Sequence, residues 1–196
     1  MNKTIAKKMK TDLDQYYTKT NIAKQCIDEL MECIDVNSFE VVIEPSAGNG
    51  SFFNQLPQNK RFGIDLEPKC DGVIKGDFLL YNPIPKKKIL VIGNPPFGQS
   101  NRKAIDFFNH AAKFANCIAF IIPRTWNKST IQNRLSLDFR LVHNTTLPEK
   151  GTFSDPTIRV RSCFQVWERT SQPRKKVQRP PPHPDFSFVR YGPKDD

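Results

Sequence analysis

Val91-Ile92-Gly93-Asn94-Pro95-Pro96-Phe97-Gly98 is the stretch from which the fold is read. The apolar run from Ile89 to Ile92 has the length and composition of a short buried strand. It stops at a glycine and passes into Asn-Pro-Pro, which suits neither a helix nor an interior strand. Each proline pushes the residue before it towards extended geometry, so Asn94 and Pro95 are both expected to be extended. Neither proline carries an N–H, and the loop therefore offers carbonyl oxygens and few donors. An asparagine, two prolines and an aromatic at a strand end can grip a flat ring that bears an amino group.

Working outward, Phe39-Glu40-Val41-Val42-Ile43 reads as an earlier strand, followed by Glu44-Pro45-Ser46-Ala47-Gly48-Asn49-Gly50 and an expected helix. Strand, glycine-rich turn and helix bring backbone close to a nucleotide-like ligand. The dinucleotide fingerprint G-x-G-x-x-G is not met, because Phe53 occupies the third glycine's place. A second strand, Arg61 to Ile64, ends in Asp65, where an acid can accept hydrogen bonds from two ribose hydroxyls. Gly72 to Gly76 is a third, short strand leading to Asp77-Phe78, and the link before it is too short for a crossover helix.

Ahead of these, Ala23, Cys26, Ile27, Leu30, Met31 and Ile34 have helical spacing, with Thr20 as the expected N-cap. Packing of that helix does not account for Tyr16, Tyr17 and Thr18. Beyond the loop, a helix is expected over 101–115 and a continuous apolar strand over Cys117–Ile122. Pro123-Arg124-Thr125-Trp126 ends that strand, and a polar helix to about Leu137 follows. Phe139–Thr146 and Arg161–Trp167 are the last two strands, both antiparallel in appearance. The expected fold is α/β: a doubly wound, mainly parallel sheet, with candidate site residues at the carboxyl ends of its strands.

Three segments are expected: a basic arm over 1–12, one domain over 13–169, and a Pro-rich basic tail over 170–196. The tail holds six prolines and six basic residues against three acidic. Over the whole 196 residues the formal charge is +10, which favours an anionic partner such as nucleic acid. No apolar run is long enough to span a membrane and no signal-peptide core opens the chain. The five cysteines are odd in number and lack metal-like pairing, so they are read as reduced, mostly buried and intracellular. With three scattered histidines, no metal site is expected.

Taken in this order, the motifs resemble those of class I S-adenosylmethionine-dependent methyltransferases, in particular the N6-adenine methyltransferases of nucleic acid. Gln15-Tyr16-Tyr17-Thr18 is similar to that family's N-terminal cofactor motif and Glu44 to Gly50 to its glycine loop. Asp65 matches its ribose-binding acid, Gly76-Asp77-Phe78 its adenine-reading segment, and Phe164-Gln165-Val166-Trp167 its last strand. The resemblance implies a Rossmann-like fold over about 13–169 and S-adenosylmethionine as cofactor. It implies Tyr17, Thr18, Glu44, Pro45, Ala47, Gly48, Gly50, Asp65, Leu66, Asp77, Phe78 and Asn94 as cofactor contacts. Asn94-Pro95-Pro96-Phe97 is then the catalytic tetrad: the Asn94 side-chain oxygen and the Pro95 carbonyl accept from the target amine, and Phe97 stacks on its ring. Lys19, Arg124 and Trp126 are further candidate substrate contacts.

The chain departs from restriction-type members in having only a short tail beyond the catalytic fold. Target recognition is then minimal, or comes from a partner protein or from substrate shape. Two other activities remain open at this point. One is methylation of a protein glutamine, as in the Tyr-ending relatives of the tetrad. The other is a catalytically silent, cofactor-binding subunit of a larger methyltransferase.

Overall fold

The computed structural model describes residues 16–83, 87–178 and 185. Seven strands form one sheet: β1 Val41–Glu44, β2 Arg61–Asp65, β3 Val73–Lys75, β4 Ile89–Gly93, β5 Cys117–Pro123, β6 Phe139–Thr146 and β7 Ser162–Arg169. Their spatial order is β3-β2-β1-β4-β5-β7-β6. Five are mutually parallel, while β7 runs antiparallel to both β5 and β6. Only β7 is therefore reversed; β6, expected to look antiparallel as well, points the same way as β5. The chain leaves β1 towards β2 and β3, then returns to β4 on the other side. The β1/β4 boundary is thus the switch point at which such sheets open a crevice.

Alternation along the central strands supplies two cores. Leu90 and Ile92 of β4 face one side, where Ile22, Cys26 and Leu30 of α1 (Thr20–Cys33) pack. Ile89 and Val91 face the other, against Ala104, Ile105 and Phe108 of α2 (Arg102–Ala111). Every residue of β4 is buried, as its unbroken apolar run requires. Each such Leu, Ile or Phe contributes about 1.5–3 kcal/mol by leaving water. These layers hold the strand ends rigidly, and with them the loops that follow.

Several local expectations are corrected. Lys19, not Thr20, is the N-cap of α1, and no side chain caps it. Lys19 is held extended because its N–H donates to the Thr152 carbonyl and Thr18 bridges Phe153. The helix expected after the glycine turn is replaced by a short 3-10 helix, Phe53–Gln55. Phe52, Phe53 and Leu56 are all buried there, and Pro57 ends the segment before a longer helix can form. The polar helix expected to Leu137 is broken into a 3-10 helix, Arg124–Asn127, and one short helix, α3 (Ser129–Gln132). Cys26, Cys117 and Cys163 are buried, but Cys33 is exposed.

Of the expected tail, residues 170–178 lie against the domain. The Arg174 guanidinium donates to the carbonyls of Gln132, Leu135 and Phe139 and sits 5.5 Å from the Trp167 ring centre. Asn133 exchanges two hydrogen bonds with the Val177 main chain. Arg174 and Val177 thus fasten this part of the tail to the domain. The arm over 1–12, Gln15, and the remainder of the tail except Asp185 lie outside the described residues. Among the described residues no helix is long and apolar enough to cross a membrane.

Candidate active site

A cleft opens at the β1/β4 switch point, on the carboxyl edge of the sheet, and strand ends supply its walls. Glu44 stands at the end of β1, Asp65 at the end of β2, and Asn94 just beyond β4. Tyr16, Tyr17 and Thr18 cover the cleft from above the edge. They are held there from two sides: Ser154 N–H, in the loop after β6, donates to the Tyr17 carbonyl, and Ser51 Oγ, at the end of the glycine turn, donates to the Thr18 carbonyl. The three residues left unexplained by the first helix's packing thus belong to the cleft.

Gly48 has φ +49°, and a Cβ there would stand 2.9 Å from the Tyr17 ring. Only glycine takes this backbone and leaves that ring in place. Its N–H donates to Asp65 Oδ2 at 2.8 Å, while Glu67 N–H donates to Asp65 Oδ1 at 2.8 Å. Each carboxylate oxygen is thereby oriented and keeps a further lone pair for a ligand hydroxyl. Gly50 has a different role. It does not line the cleft; a Cβ on it would come within 2.5 Å of Cys70 Sγ, so it permits close packing of the turn.

Three buried side-chain atoms in this cleft have no hydrogen-bond partner: Thr18 Oγ1, Glu44 Oε2 and Asn94 Oδ1. Buried polar atoms are normally paired, because leaving one unpaired costs about 1–3 kcal/mol. Three on the walls of one cleft mark a polar ligand's place. Burial pushes the Glu44 carboxyl well above the usual carboxylate range, with the nearby Asp65 charge adding to the effect. A cationic group of a ligand beside it would restore its ionised form.

Asn94 is oriented by the protein. Its Nδ2 donates to the Tyr16 carbonyl at 2.6 Å, and a carbonyl can only accept, so Oδ1 must face the other way. Ser46 Oγ donates to the Asn94 main-chain carbonyl at 2.9 Å, tying the glycine loop to the tetrad. Pro96 also lines the cleft, whereas Pro95 is buried beneath it. Phe97 is 7% exposed and does not line the cleft. It packs with Tyr16 at 5.9 Å and Phe153 at 6.4 Å between ring centres.

Asp77 and Phe78 reach the cleft's far end, with Leu66 exposed on its rim. Asp77 Oδ1 accepts from Leu79 N–H, and Phe78 is fixed by Phe107 at 5.3 Å and His110 at 5.1 Å. Pro45, Ala47 and Gly48 complete the floor. Phe107, Phe52, Asn49 and Ser51 line it too, without having been expected. The α2 periodicity signals Phe107 only as core, and nothing in sequence tells which core aromatic borders a cleft.

The expected substrate contacts divide. Trp126 is 0% exposed and packs on Phe108 at 5.8 Å, so it belongs to the core and cannot meet a substrate. Lys19 is exposed and does not line the cleft. Arg124 is half-buried beyond the end of β5 and is paired with Glu149. Among the described residues no group of acidic, histidine and cysteine side chains is arranged to hold a metal.

No protein-family model matches the chain, and no curated protein matches it in sequence. Solved structures match its fold. PH1948 of Pyrococcus horikoshii, assigned as an RNA methyltransferase, superposes with a TM-score of 0.60 at 18% identity, over 81% of this chain and 89% of that one. The lmo1582 protein of Listeria monocytogenes, assigned as a class I S-adenosylmethionine-dependent methyltransferase, also gives 0.60, at 15% identity over 84% and 65%. The 23S rRNA methyltransferase ErmE gives 0.56 at 16% identity over 80% and 71%. The chain has the class I methyltransferase fold.

Proposed function

We propose that the chain is an S-adenosylmethionine-dependent methyltransferase acting on the N6 amino group of adenine in nucleic acid. The observation that carries this reading is Asn94: its amide nitrogen is tied to the Tyr16 carbonyl, and its buried Oδ1 has no partner. An acceptor held in this way at the wall of the cleft suits an amine that must lose its planarity.

The cleft residues fit S-adenosylmethionine. Asp65 offers two oriented oxygens to the ribose hydroxyls, and Thr18 Oγ1 and Glu44 Oε2 offer unpaired polar atoms to the amino-acid end. Phe78 and Leu66 supply an apolar end beside Asp77 for the adenine. The bound cofactor supplies an electrophilic methyl group on its sulfonium sulfur.

The remaining chemistry belongs to the chain. Asn94 Oδ1 and the Pro95 carbonyl each accept one N–H of the target amine. That draws the amine towards tetrahedral geometry and localises its lone pair for in-line attack. Asparagine suits the task because it is neutral and its oxygen needs no particular protonation state. Rate enhancement then comes from positioning and preorganised dipoles, without a covalent enzyme intermediate. Stacking of the target ring on Phe97 requires the Tyr16–Phe97–Phe153 trio to part. A duplex substrate would also have to release its base from the helix stack.

The charge of +10 and the RNA- and rRNA-methylating assignments of the structural neighbours support nucleic acid as substrate. The test is incubation with radiolabelled cofactor and separate DNA, RNA and protein pools, followed by analysis of the modified nucleoside. N6-methylated adenine in either nucleic acid is the expected product. Label confined to protein glutamine would overturn the assignment.

A further inference from the structure

Beyond the cleft, a second polar cluster occupies the same edge of the sheet. Arg124 follows the last residue of β5 and Arg161 precedes the first residue of β7. Their main chains are joined, Arg124 N–H donating to the Arg161 carbonyl at 2.9 Å. Both guanidinium groups converge on one carboxylate oxygen, Glu149 Oε1, at 3.0 Å from Arg124 Nη2 and 2.7 Å from Arg161 Nε. Two cations thus share one anion, and the cluster carries a net positive charge.

The members differ in how they are held. The Arg161 side chain is 77% exposed and Glu149's 46%, while Arg124's is 34% exposed with its Nε buried and unpaired. An exposed ion pair in water is weakly held, whereas a phosphate can engage guanidinium groups through paired, charge-assisted hydrogen bonds. The cluster adjoins the tetrad: β4 and β5 are paired neighbours, and Asn101, just past the Asn94–Gly98 loop, donates to Thr125 Oγ1 at 3.1 Å. Glu149 opens the loop that carries Phe153 to Phe97.

We infer that Arg124 and Arg161 form a clamp for a backbone phosphate next to the target nucleotide, with Glu149 occupying the clamp until nucleic acid displaces it. This inference rests on the nucleic-acid reading of the active site. Glu149 keeps two like charges together in the free protein, so the clamp is preformed, and the same carboxylate competes with weak anions. The exchange links substrate binding to the 149–156 loop, because a released Glu149 frees the first residue of the loop that carries Phe153 of the aromatic trio.

The opposite edge of the sheet offers a control. Arg140 at the start of β6 pairs with Glu168 near the end of β7, also exposed, at 2.8 Å. It is a single exposed arginine–glutamate pair, and it lies away from the tetrad.

The experiment is a salt titration of single-stranded DNA and RNA oligonucleotide binding by the full chain, with cofactor affinity measured in parallel as a check on folding. Arg161→Gln is expected to weaken binding and to reduce the slope of log affinity against log salt by roughly 1, raising KM and leaving kcat unchanged. Arg161→Lys keeps the charge and should retain the slope. Glu149→Gln is expected to tighten binding severalfold, because the competitor is gone; a merely structural cluster would make this change weaken binding, as Arg161→Gln does. Arg140→Gln and Glu168→Gln should leave affinity and slope as they are. Binding to either polymer supports the clamp, since the phosphodiester is common to both. If Arg140→Gln matches Arg161→Gln, or if Glu149→Gln weakens binding, the clamp is overturned. If the wild-type chain methylates nucleic acid and the cluster variants change nothing, the clamp falls and the methyltransferase reading stands. If it neither binds nor methylates nucleic acid, both fall.

Discussion

The two edges of the sheet treat polar groups in opposite ways. At the amino edge, the described polar side chains bond to the protein itself. Asn116 accepts from Ile89 N–H, Lys88 donates to Ser38 Oγ, and Arg169 donates to the carbonyls of Ala112 and Ala115 while lying 4.7 Å over Phe139. At the carboxyl edge, hydrogen-bonding capacity is left unused. All six buried side-chain atoms without partners among the described residues lie there: those of Thr18, Glu44, Asn94, Arg124, Trp126 and Ser162. The consecutive left-handed residues Ser100 and Asn101 are there too, directly after the tetrad loop. A groove exists at the amino edge as well, bordered by Asp35, Lys88 and Arg169, but its buried polar atoms are satisfied. Concavity by itself does not mark a site; unpaired polar atoms on rigid strand ends do.

The sharpest attempt to break this contrast is Asn94→Ala. It removes an acceptor that the folded protein does not use, together with the Nδ2 hydrogen bond to the Tyr16 carbonyl, so stability should fall by only about 1 kcal/mol while turnover falls on the order of a hundredfold or more. Cofactor affinity should stay near normal. Near-normal turnover in a folded Asn94→Ala protein would remove Asn94 from the mechanism.

Asp65→Ala should weaken cofactor binding by roughly 1.5–3 kcal/mol, as expected for hydrogen bonds to a charged group. Calorimetry is the measurement, and unchanged affinity would refute the ribose assignment. This edge residue is not purely functional, since Gly48 and Glu67 both donate to it; a small loss of stability should accompany the binding defect.

Arg169→Ala probes the other edge. It deletes two hydrogen bonds to helix-end carbonyls and a cation–aromatic contact, and should lower stability by about 1–2 kcal/mol without altering cofactor affinity. Chemical denaturation checks the first expectation and calorimetry the second. A loss of binding larger than the loss of stability would contradict the division between edges.

The smallest effect concerns pH. The folded-state Glu44 carboxyl is raised above its ordinary value of 4.5 by burial. As pH rises through 4.5, the unfolded chain gives up this proton while the native state keeps it. The native state then binds more protons, and stability declines with rising pH, by no more than about 1.4 kcal/mol per unit. Glu44→Gln removes the titration, so its stability curve should be flatter than wild type above pH 4.5 and parallel to it below. Parallel curves throughout would mean that Glu44 is not held protonated in the free protein.

Much of this is legible in the sequence. The unbroken apolar run of β4 dictated a strand buried on both faces, and Asn-Pro-Pro dictated a rigid loop at its end. An acid closing the second strand located Asp65. Such features are local: spacing and backbone chemistry decide them within a few residues. The short link before β3 was likewise readable, because too few residues were left to make a helix.

Other features depended on partners far away in the chain. Trp126 was a candidate substrate contact, but packing on Phe108 buries it. The helix expected after the glycine turn was lost to three buried side chains and Pro57. Arg174 belongs by composition to the Pro-rich basic tail, yet the carbonyls of Gln132, Leu135 and Phe139 receive its guanidinium. Nothing in the sequence linked Glu149 to Arg124 and Arg161, which lie 25 and 12 positions along the chain from it. By itself, then, the sequence determined the strands, the turn chemistry and the residue types at the strand ends. The tertiary structure alone decided which of those residues keep an unpaired polar atom, because pairing depends on what the rest of the chain brings within about 3 Å.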